Sequence, residues 1–342
     1  MTALQPITIV GGGLAGLSLG IALCKAGVPT EIYEAGEYPR HRVCGEFISG
    51  LDDETIDKLG IRSAFIGAGL HRSVTWFLRE KAFYRQTLPA GARALSRHAL
   101  DARLAELFVA SQGKLSIRTR LAPQGPGVGV VLANGRIPSG SSPWLGLKLH
   151  ARNLATNDEL EMHLGDGAYV GLSAVEDGWI NVCGLFRRRQ GLQFNREDAM
   201  SAYLVASGLR SLADQLATAQ IQPGSRCAVA GFDFERGTPV GNELRLGDAW
   251  AMIPPFTGDG MAMAFTSAAL ALDPLASWAR GEVPWDRTVH SIQAALGEIF
   301  RVRLTSASFL HPFLFNRKLQ HGLSAAARTR LLPITTLYRL VH

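Results

Sequence analysis

The patterned part of the chain opens on four β-branched, mostly apolar residues, Ile7–Val10, which predict a short strand buried on both faces. A run of glycines follows, Leu17–Ala26 continues as a helix, and Gly27 stops it. Pro29–Tyr33 predicts a second strand that ends at Glu34. Val74–Leu78 and Ala82–Leu88 predict a hairpin, and Leu95–Asp101 leads into a helix running to about Gln112. Trp144–Ala151, Glu159–Leu164, Gly167–Ser173 and Trp179–Phe186 read as antiparallel strands, with Asp177-Gly178 as a hairpin turn. Arg196–Gln215 predicts one helix, Leu244–Leu246 a short strand and Met261–Leu272 an apolar helix. Beyond Asp273 the pattern is largely helical, broken at Pro284, Pro312 and Pro333.

The first strand, the glycines and the first helix form one unit. Gly11-Gly12-Gly13-Leu14-Ala15-Gly16 contains G-x-G-x-x-G. In that arrangement Gly11 permits the strand-to-helix turn, Gly13 lets a pyrophosphate approach the backbone, and Gly16 lets the helix pack on the sheet. Free N–H groups at the helix start attract phosphate. Glu34, at the end of the second strand, is placed to accept bonds from ribose hydroxyls. The order strand, glycines, helix, strand, acid points to dinucleotide binding. It also explains why the apolar stretch Ile7–Leu23 is not a membrane span, and why Ser18, inside the helix, is not a hydrolase nucleophile despite its G-x-S-x-G setting.

Composition narrows the class. The chain has 342 residues, 47% of them hydrophobic and 19% charged, enough for a large globular interior and too apolar for disorder. Cys24, Cys44, Cys183 and Cys227 are scattered without a CxxC pair, so neither a metal site nor a disulfide framework is expected; reduced thiols in a cytoplasmic protein fit better. The net charge is +6, and no acidic residue follows Glu298. Arg301, Arg303, Arg317, Lys318, Arg328, Arg330 and Arg339 lie among apolar residues there. Such a tail suits either a solvated helical cap or contact with an acidic carrier protein or a membrane surface. Nothing suggests nucleic-acid binding.

A second glycine-rich segment separates FAD from NAD. Gly247-Asp248 follows the strand at Leu244–Leu246, and Pro254-Pro255-Phe256-Thr257-Gly258-Asp259-Gly260-Met261 opens the apolar helix. With the first fingerprint, this pattern resembles the p-hydroxybenzoate hydroxylase-like superfamily of FAD-dependent oxidoreductases. Arg97 matches an arginine placed near the FAD phosphates, and Arg42-Val43-Cys44-Gly45-Glu46-Phe47 is similar to the loop beside the flavin in the geranylgeranyl reductase-like and halogenase-like branches. The likeness covers Thr8–Glu46, Ser96–Leu107, Trp144–Phe186 and Leu244–Leu272.

The resemblance implies an α/β fold, with a Rossmann-type FAD-binding domain, an interleaved antiparallel β-sheet substrate domain and a helical C-terminal region. The FAD domain would comprise residues 1–62, 91–143 and 225–275. A hairpin at 63–90 and a sheet with a helix at 144–224 would form the substrate domain, and 276–342 the cap. Gly11, Gly13, Leu14, Ala15, Gly16, Glu34 and Ala35 would hold the nucleotide half of FAD. Arg42, Cys44, Gly45 and Arg97 would border the cofactor, with Asp248, beside Gly247, on its ribose or ribityl hydroxyls. Gly258, Asp259, Gly260 and Met261 would present backbone N–H groups to the flavin ring. Cys44, Gly45 and Pro255 are the candidates for the catalytic face, and Trp76, Phe77, Trp144, Tyr169, Phe186 and Phe256 for the substrate pocket.

Three departures bear on function. Leu132-Ala133-Asn134-Gly135-Arg136 carries Asn134 where hydroxylases have an aspartate, which counts against direct use of NADPH or NADH, the electron donors the resemblance implies. Tyr169-Val170-Gly171-Leu172-Ser173-Ala174 keeps only the tyrosine of the prenyl reductase motif, and the halogenase motif is missing. The expected activity is a monooxygenase acting on an aromatic or polyketide-like small molecule, with an FAD-dependent reductase of an isoprenoid or other lipid-like substrate as the alternative. A non-catalytic nucleotide-binding module is the third reading. No histidine sits in a recognisable motif, although His41 lies close to the Cys44 loop.

Overall fold

The computed structural model describes residues 4–121, 127–156, 160–234 and 241–328. The expected helix break at Pro333, the basic residues Arg330 and Arg339, and the start of the strand placed at Glu159 lie outside them.

The chain begins with β1 (Ile7–Val10), α1 (Leu14–Lys25), β2 (Thr30–Tyr33), β3 (Phe47–Ile48) and α2 (Asp53–Leu59). A long hairpin, β4 (Gly69–Leu78) and β5 (Lys81–Ala94), leads to α3 (Arg97–Ala110), β6 (Lys114–Ser116) and β7 (Val130–Leu132). Then come β8 (Trp144–Arg152), β9 (Leu160–Gly165), β10 (Ala168–Ala174) and β11 (Ile180–Arg187), followed by α4 (Ala199–Ala206) and α5 (Arg210–Thr218). Short strands β12 (Gln220–Ile221), β13 (Cys227–Ala230) and β14 (Leu244–Arg245) precede α6 (Gly260–Ala279), α7 (Trp285–Leu310) and α8 (Arg317–Arg328).

Two sheets organise these elements. The first runs β14-β7-β1-β2-β6, all parallel, with β1 at its centre. Its strands are short, and the central pair β1 and β7 is mostly apolar, as burial on both faces requires, while polar residues such as Glu31, Lys114 and Arg245 fall in the outer strands. Helices α1, α3 and α6 cover it, and Leu17, Leu19, Ile21, Phe108 and Phe265 are buried among them. This is the Rossmann-type layer, and the glycine turn emerges at the C-terminal edge of its central strand, where ligands bind in such sheets.

The second sheet has nine strands, β12-β8-β11-β10-β9-β4-β5-β3, with β13 also paired to β8. It is antiparallel, as expected for β8–β11, with one parallel pairing between β4 and β9. The β4–β5 hairpin and the β9–β11 meander are separate segments, and they join at β4 and β9, which run the same way. Helices α4 and α5 pack on this sheet through Tyr203, Leu204, Leu212 and Leu216. The single helix expected over Arg196–Gln215 is two helices, because Gly208 adopts φ 77° and turns the chain between them. At Asp177-Gly178 both residues have positive φ (58° and 72°), the two-residue geometry that matches strand twist in a hairpin. Helix α6 continues past the expected Leu272 to Ala279, carrying Pro274 within it. No helix among the described residues is long and apolar enough to cross a membrane.

Candidate active site

A cleft of about 940 Å³ opens between the parallel sheet and the second sheet. Gly11, Gly13, Leu14 and Ala15 form its floor at the β1–α1 turn, and Glu34 and Ala35 border it after β2. Arg42, Cys44, Gly45 and Arg97 come in from one side. Gly247, Asp248, Pro255, Gly258, Gly260 and Met261 close the other. Of the residues expected to hold a cofactor, Gly16 and Asp259 do not line it. Gly16 lies under the turn, where a β carbon would collide with the Gly11 carbonyl, and Asp259 is fully buried at the N-terminus of α6.

Two glycines have specific steric jobs. Gly11 has φ 108°, and a β carbon there would overlap the backbone of Ala133. Gly258 has φ 76°, and a β carbon there would enter the Phe47 ring. Gly45 packs on the same ring from the other loop, a β carbon falling 2.8 Å from it. Gly45, expected to allow close approach to a flavin, lines the cleft and also makes room for Phe47, which lies between the two loops.

The charges in the cleft are arranged around two carboxylates. Glu34 accepts from the Gly12 N–H through Oε2 (2.9 Å), and from the Gly36 N–H and Arg40 through Oε1 (both 2.7 Å). Burial pushes its carboxyl up, but the Gly36 N–H, Arg40, Arg42 and the Gly12 N–H together hold it below the usual range. Asp101, fully buried, binds Arg97 through both oxygens (2.7 and 2.8 Å) and Arg42 through Oδ2 (3.0 Å). Burial disfavours the Arg97 charge, yet Asp101 outweighs it and raises the guanidinium. Across the cleft, protein packed around Asp248 raises its carboxyl, opposed by Arg97, Arg136 and Arg42, and the side chain is exposed to the cleft. The Cys44 thiol is raised by burial, so it stays a thiol near neutral pH.

Beneath the Cys44 loop lies a buried polar cluster that sequence reasoning missed. Glu46, at φ 56°, accepts from His150 Nε2 (2.5 Å), from the Arg97 backbone N–H (3.0 Å) and pairs with Lys148 (3.2 Å). Lys148 donates to His41 Nδ1 (2.9 Å), and His41 stacks on His98 with ring centroids 4.5 Å apart. Burial and then Lys148 depress His41 to about 3, so it is the neutral acceptor of that bond. The uncommon backbone of Glu46 is thus held by several bonds at once. Ligand atoms of His41, Glu46 and His150 lie within 4.8 Å of one another, but the Lys148 ammonium already supplies the cation at that point. Cys183 and Cys227 flank Lys148 across the strands, so three of the four scattered cysteines border this region. The one sequence signal was in β8, where Lys148 and His150 alternate with Leu147 and Leu149 in a strand buried along most of its length.

A second cavity, of about 1090 Å³, adjoins the first at Phe232 and Phe234. Trp144, Phe234, His311 and Phe315 form its aromatic side, with Tyr169 and Phe256 packed behind. Arg187, Arg188, Arg317 and Lys318 line it as well, so part of the basic C-terminal segment borders a cavity. Of the six aromatics expected to face substrate, Trp144 lines this cavity, and Tyr169 and Phe256 pack behind its wall. Phe186 is fully buried against Tyr203 under α4, Trp76 packs half-buried on the same apolar cluster as Tyr169 and Phe256 without lining the cavity, and Phe77, half-buried, stacks on His163. Strand alternation put Phe186 on the helix-covered face, which the sequence alone could not assign.

No family model matches the chain, and no curated protein matches it. Solved structures share its fold at low identity. PqsL from Pseudomonas aeruginosa, described as a probable FAD-dependent monooxygenase and also solved with 2-aminobenzoylacetate, is 14% identical with a TM-score of 0.71, over 93% of this chain and 98% of that one. The flavin-dependent brominase Bmp2 is 16% identical with a TM-score of 0.75, over 99% and 93%. A geranylgeranyl bacteriochlorophyll reductase-like protein from Thermoplasma acidophilum is 17% identical with a TM-score of 0.69, over 98% and 90%. At such identities the likeness establishes the shared α/β fold.

Proposed function

We propose that this chain is an FAD-dependent oxidoreductase acting as a monooxygenase on an aromatic or polyketide-like small molecule. The observation that carries this reading is the convergence of five distant segments on one cleft: the glycine turn, the Arg42–Gly45 loop, Arg97, Gly247–Asp248 and the start of α6. The residues fit FAD on their own chemistry. A β carbon at Gly13 would meet nothing within 4 Å, so the start of α1 is open to a pyrophosphate. Neither α1 nor α6 has a side-chain cap, which leaves first-turn N–H groups to serve a ligand.

In this reading Arg42 and Arg97, fixed by Asp101, hold phosphate, and Glu34 and Asp248 accept from sugar and ribityl hydroxyls. The α6 N-terminus favours negative charge on the ring. Bound there, FAD supplies two-electron redox chemistry and activation of oxygen. The aromatic walls of the second cavity position a flat substrate and exclude water. An aromatic ligand in the PqsL structure supports that substrate class. NADPH and NADH, the donors the resemblance implies, are the first to try, and Asn134, which lines the same cleft, counts against their direct use.

The test is direct. Protein mixed with FAD and freed of excess should keep a visible flavin band, and turnover under isotopically heavy oxygen gas should label an aromatic product. Protein without bound flavin overturns the reading. Bound flavin with hydrogen added across a double bond, and no label in the product, favours the reductase alternative.

A further inference from the structure

The polar cluster beneath the Cys44 loop reaches the first cleft at one residue. The Glu46 and Lys148 side chains are fully buried, and His150 nearly so. His41 is half-buried and lines the cleft. The titratable groups that face its ring are Lys148 and His150 from β8, His98 from α3 and Glu46 from the loop ahead of β3.

The bond from Lys148 fixes the chemistry of that ring. An ammonium only donates, so His41 Nδ1, 2.9 Å from Lys148 Nζ, is the bare nitrogen. A neutral imidazole with a bare Nδ1 carries its proton on Nε2. No described residue bonds to His41 Nε2, and the atom is not sealed from solvent. The ring therefore offers one N–H donor in the wall of a cleft.

Its neighbours indicate what that donor would meet. His41 precedes Arg42 in the chain, and His98, on which it stacks, follows Arg97. Asp101 binds both of those arginines, and the histidine stack links the same two segments a second time. A third positive charge beside Arg42 and Arg97 would be repelled, whereas a neutral N–H adds a bond to an anion without that cost. Glu46 offsets the Lys148 charge, so the buried pair holds the ring without adding net charge beneath the cleft.

We propose that His41 hydrogen-bonds a phosphate oxygen of the nucleotide bound in the first cleft, and that Lys148 and Glu46 are positioning residues that fix it as an Nε2–H donor. The assignment rests on the FAD reading above for the identity of that nucleotide.

NMR of the purified full chain with ring-nitrogen-labelled histidine tests it, the His41 signals being assigned from their loss in His41→Phe. The probe is ADP, which carries two phosphates and no flavin. Between about pH 5 and 8 wild type should keep one bare and one protonated nitrogen on His41, in the Nε2–H form, and saturating ADP should shift the Nε2 signal. Lys148→Met should let the ring exchange between tautomers and take up a proton in that range, which loss of a purely structural lysine would not cause. FAD affinity should fall about tenfold in His41→Phe, which keeps a ring on His98, and recover in part in His41→Gln, whose amide N–H can replace Nε2–H. A protonated or Nδ1–H ring in wild type, no response of Nε2 to ADP, or equal retention of FAD by His41→Phe overturns the proposal. Should Lys148→Met fail to fold because Glu46 is left unpaired, the wild-type tautomer and its ADP response still decide. The two readings fail separately. A His41 response to ADP in protein that holds no FAD overturns the FAD reading alone, and protein that holds FAD while His41 stays silent overturns this assignment alone.

Discussion

The two cavities are built by opposite means. The first is shaped by backbone: glycines at tight turns, two helix N-termini and a few charged side chains clamped by Asp101. The second is shaped by side chains from β8, β10, the Phe232–Phe234 segment and the turn after α7, meeting around His311. A backbone site tolerates little change in a few residues, since a β carbon in the wrong place has nowhere to go. A ring-lined site tolerates swaps of similar volume, and its specificity depends on a few polar atoms.

Substitutions should separate these two modes of construction. The largest effect is expected at Gly11→Ala, where positive φ combines with overlap on the Ala133 backbone. Thermal unfolding should show a loss on the order of 3 kcal/mol, with no flavin retained on purification. Stability near wild type would mean that the turn can relax, and the contrast with the second cavity would weaken.

Asp101→Asn comes next. It leaves the arginine pair without its carboxylate, and denaturant unfolding should fall by about 3 kcal/mol. FAD affinity should fall with it, because Asp101 holds the two arginines that line the first cleft.

Acidification should weaken the second cavity through His311. Its folded pKa of about 4 lies below the ordinary value of 6.5, so the unfolded chain takes up a proton that the folded chain resists. The stability present above pH 6.5 is therefore lost as pH falls toward 4, by up to about 3 kcal/mol for this group. His41, depressed to about 3, adds to the loss in the same direction. Chemical denaturation as a function of pH measures the slope, and His311→Phe should flatten it relative to wild type. An unchanged slope would place the acid sensitivity elsewhere.

The smallest effect on stability is expected at Gly13→Ala. A β carbon there meets no protein atom within 4 Å, so unfolding should change by less than about 0.5 kcal/mol. It would project where a pyrophosphate should lie, and FAD affinity should drop about tenfold or more. Two glycines of one turn, Gly11 and Gly13, would then differ cleanly, one required by the fold and the other by the ligand.

Local order along the chain determined a good deal. Four apolar residues, three glycines, an apolar helix and an acid at fixed spacing specify the β1–α1–β2 unit, because turn geometry and helix capping act over a few residues. The second glycine segment before α6 was legible for the same reason, as were the hairpins. Tertiary structure alone decided the partnerships between distant side chains. Lys148 and His41 are 107 positions apart and His150 and Glu46 104, and nothing in the local pattern at either end names the other. It also decided which face of β11 receives Phe186, which glycine makes room for Phe47, and that His311, from the far end of a long helix, enters an aromatic cage. Backbone conformation is written in neighbouring residues, whereas the environment that leaves a histidine neutral and unpaired exists only after the sheets and helices have closed around it.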